Sequence, residues 1–196
     1  PLVTERRLFT SHASGIMLTQ RFVVAERNLN ISFYADDSAD LDVLDNELGF
    51  ENGLGGRIEF EISDHLQLGA SFIDFKNKTV THKTRNELYG IDFLWKKDGY
   101  ELELEAIYRS ADDNQGEEQG LYLQSVIPLP YDFYLINRYE HINGTHRFLP
   151  TNTDIGVSGL AWRPFTPLVF KAEYLYGQGN EFVAPSGFFA SIAMFF

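Results

Sequence analysis

The sequence contains no cysteine, which excludes a disulfide framework and a thiolate metal site. It also lacks any run of the roughly 18 to 20 apolar residues that a membrane-spanning helix requires, so helical membrane proteins are excluded. Lys and Arg number 16 against 28 Asp and Glu, for a net charge of −12. Because a nucleic-acid surface needs clustered Lys and Arg, we expect no nucleic-acid partner.

The first residues also lack the apolar core of a signal peptide, since the apolar Leu2 and Val3 are followed at once by Thr4 and the charged Glu5, Arg6 and Arg7. Two interpretations stay open: either the chain is a mature protein, or its beginning is missing.

Aromatic residues are abundant. They make up 15% of the chain, with 17 Phe and 10 Tyr, and they favour strands and form the interfacial girdles of membrane β-barrels. The periodicity predicts no helix. It predicts eleven strands, at residues 15–25, 28–35, 56–62, 65–75, 87–97, 100–110, 120–127, 131–141, 154–163, 167–177 and 186–196.

The connections between these strands alternate in length. The short ones are predicted at Glu26-Arg27, Ser63-Asp64, Asp98-Gly99, Pro128-Leu129-Pro130 and Pro164-Phe165-Thr166, and the long ones at 36–55, 76–86, 111–119, 142–153 and 178–185. Outer-membrane barrels have tight periplasmic turns and longer extracellular loops. The alternation therefore favours an antiparallel transmembrane β-barrel in the outer membrane.

The hairpin 87–110 predicts its own register. Asp98-Gly99 is typical of a two-residue type I′ turn, which pairs Lys97 with Tyr100. Counting outward then divides the hairpin into an apolar face and a charged one, and a slip of one residue would destroy this division. We predict that the membrane-facing residues include Trp95, Phe93, Leu102, Leu104, Tyr108, Ile192 and Met194.

The opposite face is predicted to line a pore. Charged residues alternate with apolar ones at 57–62 and at 101–106, and similar positions occur on other strands. The predicted pore-lining residues are Arg57, Glu59, Glu61, Asp92, Lys96, Glu101, Glu103, Glu105, Arg109, Arg138, Lys171 and Glu173. A soluble β-sandwich also alternates, with its polar side in solvent. It has no reason, however, to place all its long loops on one side.

The last predicted strand resembles the signal that the barrel assembly machinery recognises. Its terminal aromatic and the apolar residues at every second position before it are Phe196, Met194, Ile192, Ala190 and Phe188. We expect that machinery to be a partner.

Three further segments resemble the phosphate-selective porin (O/P-like) family of bacterial outer-membrane porins. They are Pro1-x-x-x-Glu5-Arg6 followed by Gly15, Trp162-Arg163-Pro164 leading to 168–174, and Gly187 to Ala193. The resemblance implies a homotrimer of channels with an inward-folded loop. It also implies that strands normally preceding Glu5-Arg6 are absent here.

The strand count supports the same expectation. Eleven is odd, whereas bacterial single-chain barrels have even numbers of strands. We therefore expect 1–196 to be one domain, the C-terminal portion of a barrel of roughly 16 to 18 strands. A small closed barrel of ten or twelve strands is the alternative.

We do not expect this chain to share the anion selectivity of that family, because the acidic residues predicted to line the pore outnumber the basic ones. Asp92 is expected opposite Glu105 and Glu103 opposite Leu94, while Lys96 offsets only Glu101. The sequence therefore predicts a preference for cations over phosphate in this part of the wall.

Two segments are expected to meet lipid or solvent. Residues 36–51 hold seven acids and no base, but their spacing is not that of an EF-hand. A solvated loop, bridged to lipopolysaccharide by divalent ions, is favoured over a defined metal site. Residues 76–85 are basic and could meet lipid phosphates directly, although an ordinary soluble loop explains them equally well.

Catalysis has little support in the sequence. The histidines have no metal-ligand spacing, no Gly-x-Ser-x-Gly elbow is present, and no cofactor motif occurs. The leading hypothesis is passive diffusion of small hydrophilic solutes through a water-filled pore. A structural sheath around a partner such as a multihaem cytochrome is a second hypothesis, and an outer-membrane enzyme is a third.

Overall fold

The computed structural model describes residues 15–37, 49–78, 83–112, 117–144, 152–179 and 185–194. These residues form eleven strands: β1 (Ile16–Val24), β2 (Arg27–Ala35), β3 (Gly49–Ser63), β4 (Leu66–Lys78), β5 (Lys83–Lys97), β6 (Tyr100–Ala111), β7 (Glu118–Leu129), β8 (Phe133–Gly144), β9 (Asn152–Phe165), β10 (Leu168–Gln178) and β11 (Gly187–Met194). Within the part of the chain described, no helix is long and apolar enough to cross a membrane.

The prediction of an all-β, antiparallel fold with eleven strands is confirmed. All eleven belong to one sheet, and each strand pairs with its neighbours in sequence. β1 pairs with β2 and β11 with β10, and no pairing among the described residues joins β1 to β11. The sheet therefore presents two edges, each with a row of unpaired backbone groups.

Several strands extend further towards the long connections than predicted. β3 begins at Gly49 and not at residue 56, and β5 begins at Lys83 and not at residue 87. Two predicted turns lie earlier in the sequence than the observed ones. β9 continues through Pro164 and Phe165 and the chain turns at 166–167. β7 continues through Pro128 and Leu129, and the chain turns at 130–132. There Tyr131 and Asp132 adopt φ angles of 63° and 61°, a conformation that non-glycine residues adopt only occasionally.

The register of the β5–β6 hairpin is confirmed. Lys97 pairs with Tyr100, and the register continues from Trp95 opposite Leu102 to Tyr89 opposite Tyr108. Asp98 and Gly99 have φ angles of 50° and 84°. Both central residues therefore have the positive φ that a type I′ turn requires.

Following the register across all strands defines two faces. The apolar face is the one that carries Tyr89, Ile91, Phe93 and Trp95 of β5, and the charged face is the one that carries Asp92. Large exposed hydrophobic side chains lie mainly on the apolar face, including Ile91, which is 58% exposed.

The most deeply buried residues lie on the charged face. They include Ile155 and Glu140, each 2% exposed, together with Phe75, Tyr122, Val157, Ala161 and Val169. No second layer covers this face among the described residues. Burial there must come from side chains crowding on the concave side of a curved sheet. The charged face is thus the more buried of the two, and the apolar face the more exposed.

Candidate functional site

The candidate site is the charged face, because the polar chemistry of the sheet is concentrated there. One row of paired residues illustrates it: Glu59 on β3 lies beside Gly69, which pairs with Asp92, which pairs with Glu105, which pairs with Tyr122. The register places all twelve predicted pore-lining residues on this face. Whether the face lines a pore is a functional question and remains a prediction.

A salt bridge crosses three strands near the middle of this face. Arg57 of β3 donates two hydrogen bonds to Asp92 of β5, from Nη1 to Oδ2 at 2.7 Å and from Nη2 to Oδ1 at 2.9 Å. Gly69 of β4 lies between them, and a Cβ atom there would stand 2.4 Å from Asp92 Oδ2. The glycine is thus required for Asp92 to lie flat across β4.

Gly69→Ala is expected to displace Asp92 and to lower the free energy of unfolding by about 1 kcal/mol. A charge-assisted pair contributes about 1.5–3 kcal/mol, and we reduce that figure because Arg57 is partly exposed to screening solvent. Gly156→Ala is the matched control, since a Cβ at Gly156 meets nothing within 4 Å. Urea titration of the folded protein in lipid vesicles measures the free energy of unfolding of both variants. Equal unfolding midpoints for Gly69→Ala and Gly156→Ala would contradict the predicted role of Gly69 in placing Asp92.

The acidic residues of β6 differ in how they are neutralised. Glu101 forms a salt bridge of 2.8 Å with Lys96. Glu103 and Glu105 have no basic atom within 4 Å among the residues described. Asp92, which pairs with Glu105 as predicted, is bonded to Arg57. The uncompensated negative charge of β6 is therefore centred on Glu103 and Glu105.

Two other ion pairs on this face include buried side chains. Arg109 Nη2 lies 2.5 Å from Glu118 Oε2, near the ends of β6 and β7 that lead into the long connection, and both side chains are at most 10% exposed. Arg138 Nε lies 3.0 Å from Glu140 Oε1 on β8. Removing one member of such a pair leaves an uncompensated buried charge. The Arg109–Glu118 pair also links β6 to β7, whereas the Arg138–Glu140 pair lies within β8.

A cavity of about 420 Å³ opens on the charged face near the short turns of β8, β9 and β10. Its charged lining residues are Glu101, Arg138, Arg163, Lys171 and Glu173. The guanidinium of Arg163 lies 5.0 Å from the centre of the Tyr134 ring, within the range of a cation–π contact. The cavity therefore brings both signs of charge to one part of the wall.

The list of predicted pore-lining residues omits four charged residues of this face: Arg21, Glu118, Glu140 and Arg163. Arg21 Nε donates to Asn30 Oδ1 at 3.0 Å, and Asn30 in turn donates to Glu59. Alternation with Phe22 would have indicated Arg21. Glu118 was placed in a long connection, and Arg163 was used only as part of a family segment.

The apolar face carries aromatic side chains near both ends of the strands. Phe72, Tyr89 and Tyr108 lie towards the long connections, with ring centres 5.0 and 6.4 Å apart along the row. Phe133, Trp162 and Phe170 stack near the short turns at 5.7 and 5.4 Å. This arrangement is typical of the two girdles of a membrane barrel.

On the apolar face of β5, the stretch without charged residues is about as tall as the hydrocarbon layer of a membrane. On β5 the nearest charged residues of the apolar face are Glu87 and Lys97. Ten residues of strand span about 34 Å, which a tilt of about 40° reduces to about 26 Å. A barrel's apolar band is about 25 Å tall.

Charged residues of the apolar face gather beyond the aromatic side chains at the long-connection end. Arg85 of β5 forms a salt bridge with Asp74 of β4, and Lys76 is exposed beside them. Part of the basic segment 76–85 lies outside the described residues, as does most of the acidic segment 36–51.

The predicted assembly-signal residues Phe188, Ala190, Ile192 and Met194 lie on the apolar face of β11 and are exposed. Phe196 lies outside the described residues, as do Glu5 and Arg6. Recognition by the assembly machinery stays a prediction.

Among the residues described, no group of three His, Asp or Glu side chains is placed to hold a metal ion. No protein-family model matches this chain, and no curated protein sequence matches it either.

Proposed function

We propose that this chain forms part of the wall of a bacterial outer-membrane channel through which small hydrophilic solutes diffuse passively. The observation that carries the proposal is the inverted distribution of side chains. The exposed face is apolar, and on β5 it is free of charge over about 26 Å. Its charged residues lie towards the strand ends, whereas the opposite face carries charged residues along the middle of the strands. A soluble sheet would bury its apolar face against a second layer.

The mechanism needs no covalent chemistry. Charged side chains along the inner wall attract or repel ions as they pass. On the concave face the acids outnumber the bases, with Glu103 and Glu105 uncompensated. The wall therefore favours cations. Membership of the phosphate-selective porin family is a proposal supported by the three segments quoted above, but this acidic excess argues against phosphate as the preferred solute.

The unpaired edges of β1 and β11 indicate that further strands are needed to close the sheet into a barrel. Each unpaired backbone amide in hydrocarbon costs several kcal/mol, and β1 and β11 each have one unpaired edge among the described residues. We propose that further strands pair with both edges to close a barrel of roughly 16 to 18 strands. Lipid and lipopolysaccharide would surround the exposed face.

Conductance of the purified protein in planar lipid bilayers tests the proposed function. We expect stepwise, ohmic single-channel currents that do not require a bound partner. Protein that inserts into the bilayer but conducts no ions would contradict the channel and would favour a sheath that is filled by a partner.

A further inference from the structure

The cavity near the short turns of β8, β9 and β10 holds charges that have no partner within the sheet. Two of its five charged residues are neutralised, since Glu101 forms a salt bridge with Lys96 and Arg138 forms one with Glu140. The other three are Arg163, Lys171 and Glu173. None of these three forms an ion pair or a side-chain hydrogen bond with any residue that the structure describes.

The three unpaired charges are ordered by sign along the wall. Lys171 pairs with Ala161, which lies two residues before Arg163 on β9, so both bases lie towards the short turns. Glu173 pairs with Gly159. It therefore lies one step further from the turns, about 6.8 Å along β10 from Lys171. The cavity has a positive end near the turns and a negative end further along the strands.

The side chains at the two ends are positioned by their neighbours. The guanidinium of Arg163 contacts the ring of Tyr134, and a ring contact leaves its N–H donors free for a ligand. At the other end, a Cβ atom on Gly159 would stand 2.5 Å from Glu173 Cγ. The glycine therefore leaves the space in which the Glu173 side chain lies over β9, on the side of the cavity.

The cavity has the size and lining of a site for a small solute. Its volume of about 420 Å³ falls within the roughly 300–1,000 Å³ of small-molecule sites. Val126, Ile136 and Val157 contribute to its wall beside the charged groups. A partly apolar wall with a few placed polar groups is typical of ligand sites.

We propose that this cavity binds a small zwitterion with one carboxylate and one ammonium group, as a free amino acid has. The inference rests on the proposed function, because solutes reach the cavity only if the charged face lines a water-filled pore. It deepens that function by naming a class of solute. The carboxylate lies against Arg163 and Lys171, since a guanidinium donates two parallel hydrogen bonds to a carboxylate. The ammonium lies against Glu173.

The presence of both unpaired signs in one cavity distinguishes a zwitterion from a singly charged solute. An anion such as phosphate satisfies the two bases but is repelled by Glu173, and a simple cation is repelled by Arg163 and Lys171. Such repulsion is a source of specificity. A zwitterion neutralises both ends, and because it has no net charge, the acidic excess of the wall does not repel it.

Three matched probes test the proposed class of solute: alanine, propionate, which lacks the ammonium group, and ethylamine, which lacks the carboxylate. Binding of each probe, and of inorganic phosphate, is measured by ligand-observed NMR on the folded protein in detergent. We expect alanine to bind about tenfold more tightly than the others, because each of them loses a charge-assisted contact. Propionate, ethylamine or phosphate binding as tightly as alanine would overturn the inference, and so would an absence of alanine binding.

Two variants test the two ends separately. We expect Glu173→Gln and Arg163→Gln each to weaken alanine binding by about tenfold. Because a repulsive charge is removed, Glu173→Gln should bind propionate more tightly than the parent does, and Arg163→Gln should bind ethylamine more tightly. The mobility difference between heated and unheated protein in gels confirms that each variant is folded. Weaker binding of all probes by both variants would indicate a structural role only and would overturn the inference.

Conductance measured on the same preparation separates this inference from the proposed function. Ohmic channels formed by protein that binds no alanine would overturn the binding site and leave the channel. Alanine binding by protein that inserts but conducts no ions would support the site and contradict the channel. Protein that neither binds alanine nor conducts ions would contradict both.

Discussion

Leu104→Arg is expected to abolish most assembly of the folded protein in membranes. Leu104 lies on the apolar face of β6, between Phe93 on β5 and Leu123 on β7, in the middle of the charge-free band. An arginine facing lipid near the bilayer midplane costs about 2–4 kcal/mol. Because each 1.4 kcal/mol is a factor of ten, the folding equilibrium should fall by roughly 30- to 700-fold.

The adjacent residue supplies the control. Glu103 belongs to the charged face, where it pairs with Leu94 and Gln124, so Glu103→Arg introduces the same side chain into the water-filled side. Refolding into lipid vesicles, followed by the mobility difference between heated and unheated protein in gels, measures the folded fraction. Equal folding of Leu104→Arg and Glu103→Arg would contradict the assignment of the two faces.

Replacing Glu103 and Glu105 together by glutamine is expected to lower the ratio of cation to anion permeability roughly two- to fivefold. These two carboxylates lie about 6.8 Å apart along β6, within the roughly 8 Å screening length at physiological salt. They therefore act on a passing ion together. The reversal potential in a salt gradient measures the ratio.

The matched control is the double variant Lys96→Gln with Glu101→Gln. It also changes two side chains, but it removes a pair that already forms a salt bridge and leaves the net charge unchanged. Its reversal potential should stay near that of the parent. A parent channel that prefers anions, or two double variants that behave alike, would contradict the proposed role of Glu103 and Glu105.

Local pattern determined much of this fold. Side chains of a strand alternate between the two faces, so the positions of Trp95 and Glu103 on opposite faces follow from the sequence as soon as the type I′ turn at Asp98-Gly99 fixes the register. The same alternation identified the charged positions of the other strands. The prediction of turns failed at 130–132, where the residues with positive φ are Tyr131 and Asp132 and no glycine marks the turn. The prolines at 128 and 130 had instead indicated a turn that begins at residue 128.

The tertiary structure decided how separate hairpins meet. Arg57 and Asp92 lie 35 residues apart and on strands that do not touch, and their salt bridge exists only because β4 places a glycine between them. Glu140 is buried between its cross-strand neighbours Tyr122 on β7 and Ile155 on β9, an environment that β8 alone does not encode. Likewise, Ser125 and Asn137 share a row with Ser158 only because β8 pairs with β9 in one register across a long connection. Alternation is a property of each strand, whereas register between hairpins and curvature depend on the packing of the whole sheet.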